Sequence, residues 1–141
     1  MASGFLSTLN IWAVLVAGIA FWLTGALWFS VIFGNMWATD LEKHGVIIKE
    51  PTSAELRTKL ILNLVYNIIT ALGVAYIVYA TGSGTVISAL KLGLASGIGF
   101  SFCSIGISAL WESRSNKLLL IDAGHPILGI IICFIILSLW K

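Results

Sequence analysis

Four apolar stretches, each near or above the roughly 20 residues that a helix needs to cross a bilayer, dominate this sequence, and its charges cluster between them. They constrain the fold more than any motif does. Of 141 residues, 59% are hydrophobic and 10% charged, against about 25% charged in soluble domains, and the mean hydropathy is +1.03. A water-soluble core of this size cannot hide so much apolar side chain. The expectation is an all-α, polytopic membrane protein, a single domain over residues 1–141 in which four transmembrane helices, about 9–35, 53–80, 85–112 and 116–140, pack as a bundle, with a polar loop at 36–52.

Composition excludes other classes. The net charge of +2 provides no basic patch for phosphate contacts, so no nucleic-acid partner is expected. Cys103 and Cys133 lie inside apolar segments and read as small buried hydrophobes. No zinc spacing and no C-x-x-C occur. The first ten residues lack a basic region and a clear cleavage site, so they read as retained.

The third segment reads as the hub of the bundle. Gly93, Gly97, Ser101, Ser104 and Ser108 recur every three or four residues and form one small stripe on a regular helix. In lipid such stripes let helices approach closely, and hydroxyls can bond between helices. The stripes offer surfaces within and between chains, so a homo-oligomer is an expectation.

In the first segment, Trp12 near the start and Trp37 just past the end fit aromatic belts at the two interfaces. For the internal Trp22 and Trp28, packing or lipid contact is weighed against lining a ligand cleft. After the polar loop, Pro51 breaks any earlier helix, and Thr52 with Glu55 forms a capping box for a helix beginning near Ser53. Along that helix Asn63, Asn67 and Thr70 share one face, which should point into protein because unpaired amides in hydrocarbon cost several kcal/mol. His44 reads as a loop residue. Residues 81–84 make a glycine-containing turn. Lys91, the sole charge in the body of the third segment, can snorkel to the surface; the sharper reading is a second functional charge on an interior pathway. Ser115 or Asn116 caps the last helix, which is interrupted early by Asp122, Gly124, His125 and Pro126. Proline removes the bond to the carbonyl four residues back, that of Asp122.

Basic residues set the orientation. Lys43, Lys49, Arg57, Lys59, Arg114 and Lys117 flank one side; Lys141 and the amino terminus lie on the other, with Lys91 if it snorkels. The positive-inside rule then puts both termini on the non-cytoplasmic side of a cell membrane. Counting inward at 1.5 Å per residue, Asn63, Asn67, Ser104, Ser108, Asp122 and His125 all fall roughly 5 to 12 Å inside the cytoplasmic interface. They form one polar layer, the candidate site for a small solute or ion. The bland alternative is structural glue: Asp122 reaches water or pairs with Lys117 or Arg114, Asn63 bonds to it, and the network merely fixes helix register. Two ligands from Asp122 and His125 do not make a metal site. No cofactor and no catalytic residue is assigned, because no serine stands out beside a base.

Particular residues carry a family resemblance. Gly25, Leu27, Trp28 and Ser30 match a G-x-L-W-Y-S pattern, with Phe29 in place of tyrosine; Phe33, Gly34 and Trp37 match F-G-x-x-W; Ala123 and Gly124 match a late I-N-A-G-Y-like segment. In these features the chain resembles DUF1761, a family of small bacterial and archaeal membrane proteins without an established biochemical function. The resemblance implies four membrane-spanning helices and supplies no site residues. Asp122 stands where asparagine is common and His125 where tyrosine is common, two departures toward ionisable groups. The functional expectation is binding or passage of a small solute or ion through the polar layer. A structural or accessory membrane protein without a substrate, its neighbours membrane lipids and copies of itself, is the alternative, and an enzyme is the weakest reading.

Overall fold

The computed structural model describes residues 2–140, and among them every regular element is helical. A short helix α1 (Ala2–Thr8) precedes α2 (Ile11–Leu27), which runs into a π-helical segment (Trp28–Ile32); α3 spans Gly34–Lys43 and α4 Ser53–Thr81. The third span is α5 (Val86–Ser96), a π segment (Gly97–Phe102) and α6 (Cys103–Trp111), and the fourth is α7 (Asn116–Leu139). Four helical runs, Ile11–Ile32, Ser53–Thr81, Val86–Trp111 and Asn116–Leu139, are long and apolar enough to cross a membrane. The expectation placed on Lys141 lies outside the described residues.

Local signals set most boundaries. The Asn10 side chain accepts the Ala13 N–H, and the Thr52–Glu55 capping box forms in both directions, so α4 begins at Ser53 as the sequence reading holds. Ser115 caps α7 through the Leu118 N–H. Gly82 adopts a left-handed conformation, φ 65°, and ends α4, a backbone state that glycine enters without steric penalty.

Residues 36–52 are not wholly loop. Their first half belongs to α3, because Trp37, Asp40 and Leu41 recur at i, i+3 and i+4 and make one inward face, with the exposed His44 just past the end of the helix. The hub also moves. The fourth span packs against α2, α4 and the whole third span, whereas the third span makes its interhelical contacts chiefly with α7. Gly93 and Gly97 do bring α5 close, since a Cβ on either would stand 2.9 Å or 3.1 Å from the backbone of Ile131 or Ile127. They serve one neighbour only. The core lies between α2, α4 and α7, around Val14, Phe21, Val74, Cys133 and Phe134, with Ala89 reaching it from α5.

Candidate functional site

The late acid sits at the centre of a network at one end of the bundle. Trp37 Nε1 donates to Asp122 Oδ1 at 2.9 Å, and Arg114 Nη1 donates to Oδ2 at 2.9 Å. Arg114 also donates from Nε to Glu112 Oε2 at 2.6 Å. Both carboxylate oxygens of Asp122 are therefore engaged, one by a neutral indole and one by a guanidinium. The backbone explains how Arg114 gets there. The bonds Arg114 N–H to Ala109 O and Ser113 N–H to Leu110 O close a Schellman motif at the end of α6, with Ser113 left-handed at φ 53°. That reversal starts a short turn into α7, and it brings Arg114 back over the first turns of the next helix.

A second acid extends the network. Asp40, 8% exposed, accepts a hydrogen bond from the Ser115 hydroxyl. The same hydroxyl oxygen accepts the Leu118 N–H at 3.1 Å. The N-cap of α7 is thus tied to α3. His44 Nδ1 lies 2.7 Å from the Asp40 carbonyl and 3.7 Å from its carboxylate, so it belongs to this end rather than to an unattached loop. Trp37, Leu41, His44, Val46, Glu112 and Arg114 border a cavity of about 450 Å³ beside the network.

Beneath Asp122 the site becomes aromatic. The His125 ring lies 5.3 Å from Phe21 and 5.6 Å from Phe29, and its buried Nε2 has no hydrogen-bond partner. A Cβ on Gly25 would stand 2.7 Å from that nitrogen, so only glycine at this position leaves the imidazole its place. Gly124 gives the same room to Trp28, whose indole donates to the Ile121 carbonyl at 2.9 Å. Ile121 neighbours the acceptor that Pro126 leaves without a helical donor, and α7 continues through the proline. Trp28 also meets Phe33 at 4.6 Å with the rings tilted by 46°, and Phe29 meets Trp37 at 5.9 Å.

Not all the expected residues gather here. Asp122 and His125 do. Asn67 is buried and donates to Asn63 at 3.3 Å, but Asn63 is exposed and neither amide bonds to Asp122. Ser104 and Ser108 are exposed on the outer side of α6 and do not face the layer. The π segment is the reason: one extra residue in the helix between Gly97 and Phe102 advances the inward face to the half-buried Ile105 and the buried Ala109. Lys91 is exposed, as a snorkelling lysine would be. Trp37, expected at the aromatic belt, donates its indole N–H to Asp122. Sequence reading missed Trp37, Asp40 and Ser115 as members of the network. The helical spacing of Trp37, Asp40, Leu41 and His44 was the available signal.

These features define a class: an all-helical protein of membrane-spanning type, whose fourth helix is clasped near its start by an indole and a guanidinium on one acid. The residues carrying the early and late sequence motifs meet in this one place. The chain belongs to the DUF1761 family, whose model, described as a protein of unknown function, matches residues 12–138. No curated protein and no solved structure matches it significantly.

Proposed function

We propose that this protein binds a small organic cation at the Asp122 end of the bundle, the end that the positive-inside rule assigns to the cytoplasm. The supporting observation is the cavity bordered by Trp37, Glu112 and Arg114 beside Asp122. Two carboxylates, Glu112 and Asp122, share the single Arg114 guanidinium, and Asp40 lies at the same end beside His44, so a guest cation supplements the guanidinium where an anion would face the carboxylates. Indole faces attract such cations by about 0.5–2 kcal/mol. The acids are too dispersed to chelate a metal: no cluster of three His, Cys, Asp or Glu occurs among the described residues. Binding fits better than open passage, because the next layer inward is the apolar packing of Phe21, Ile130 and Phe134.

Equilibrium binding of methylammonium and tetramethylammonium to the protein in nanodiscs tests this. Asp122→Leu should weaken binding more than tenfold while Lys91→Gln, remote from this end, leaves it intact. Saturable binding that Asp122→Leu does not alter sinks the proposal. A second reading rests on the full pairing of both Asp122 oxygens: the network is a clasp that fixes α3 and the 112–115 turn on α7, with no guest. Under it, Asp122→Leu lowers resistance to unfolding and neither cation binds.

A further inference from the structure

The opposite end of the bundle holds a second cavity. Phe5 and Thr8 of α1 join residues from the near ends of α2, α4 and α7 in lining about 190 Å³. Its floor includes two alanines, Ala13 and Ala75, and its walls are the rings of Phe5, Tyr79 and Trp140. The aromatic wall is held in place: Phe5 lies 5.3 Å from Tyr76, edge to face, and 5.5 Å from Tyr79. A Cβ on Gly4 would stand 2.7 Å from the Tyr79 hydroxyl, so glycine there lets α1 close over the tyrosine. Asn10 is on the rim, and its Oδ1 is occupied by the Ala13 N–H at 3.1 Å, which leaves the amide NH2 as its donor.

We propose that this cavity binds a neutral, single-ring molecule bearing a hydrogen-bond acceptor, of the aryl ketone or quinone-head type. Size argues for one ring, since an apolar cavity of about 150 Å³ already admits benzene. Chemistry argues for neutrality, because no described residue lining the cavity carries a formal charge at neutral pH. The rim argues for an acceptor: the Asn10 amide and the Trp140 indole offer N–H donors, and the Tyr79 hydroxyl can donate as well as accept. Aromatic walls also favour a ring, through offset or edge-to-face contact.

The test uses 4-fluoroacetophenone as probe and 4-fluoroethylbenzene as its isostere without the acceptor. Both are followed by fluorine NMR on the full chain in nanodiscs against lipid-only discs. A saturable bound signal should appear for the ketone, with affinity about two- to tenfold above the hydrocarbon, the range one net hydrogen bond supplies. Ala75→Leu, which fills the floor, and Phe5→Ala, which opens the wall at the edge of the core, should each weaken it tenfold or more. No saturation beyond lipid-only discs overturns the proposal, as lipid then suffices to explain uptake. Equal affinity for the two probes, or wild-type binding by both variants, overturns it as well.

Discussion

At Asp122 two bonds of similar length have different weight. The Arg114 side chain is 39% exposed and shared with Glu112, and such partly solvated ion pairs contribute about 0–1 kcal/mol. The Trp37 indole is half-buried and gives an undivided N–H to a charged oxygen, a bond in the range of about 1.5–3 kcal/mol. Trp37→Phe should therefore destabilise the protein more than Arg114→Ala does, by about 1 kcal/mol or more, as measured by reversible unfolding in mixed micelles. An equal or reversed order would show that the guanidinium carries the clasp. Gly25 poses a steric question instead. Gly25→Ala places a methyl group against His125 Nε2 and should cost about 1–3 kcal/mol by overpacking, most of it recovered when His125→Ala is added. The same unfolding assay reads both, and an additive double variant would place the strain elsewhere.

Among the elements, the third span shows how one residue rephases a helix. Before the π segment Ala89 and Gly93 are buried, as is Gly97 at its first position; after it the buried face passes to Ala109, while Ser104 and Ser108 look outward. A regular helix through Gly93 and Gly97 puts Ser104 and Ser108 inside, as the spacing alone suggests. Deleting Gly99, which has open space around it, converts the π turn toward α geometry and keeps both buried faces in phase. That deletion should leave stability within about 1 kcal/mol of the parent, since only an exposed glycine is lost. Deleting Leu94 instead pushes Ile98 into the slot of Gly97, where a Cβ meets Ile127 at 3.1 Å, and should destabilise clearly in the same assay. Comparable losses from both deletions would mean that the π segment is itself required. The element α3 carries a related lesson. Its inward face follows ordinary helical spacing, but three charged residues in its last four positions and a histidine just past its end make it read as loop when hydropathy alone is weighed.

Across the whole molecule, glycines decide which helices touch. Gly18 admits Ile68 of α4, Gly129 admits the Phe21 ring of α2, and Gly93 and Gly97 admit Ile131 and Ile127 of α7. Lipid tails are as apolar as leucine, so close packing rather than hydrophobic transfer holds such helices together. Gly97→Leu should wedge the third span from α7 and cost about 1–3 kcal/mol or more, whereas Gly106→Leu, with nothing within 4 Å of its Cβ position, should be neutral. Unfolding and cross-linking between the third and fourth spans report the two outcomes; equal effects would contradict the packing described. The sequence by itself determined the number of spans, their approximate limits and the cap at Thr52, narrowed the cap of α7 to Ser115 or Asn116, and put Asp122 and His125 near the start of the last helix. Each of these follows from hydropathy or from contacts within a few residues. Only the tertiary structure decided that α7 is the hub, that Trp37 and Arg114 rather than Asn63 reach Asp122, and that Ser104 and Ser108 stay outside. Those outcomes depend on helix rotation and on which faces meet across 85 residues of chain from Trp37 to Asp122, and one extra residue in a π turn rotates a face without changing the apolar pattern that hydropathy reads.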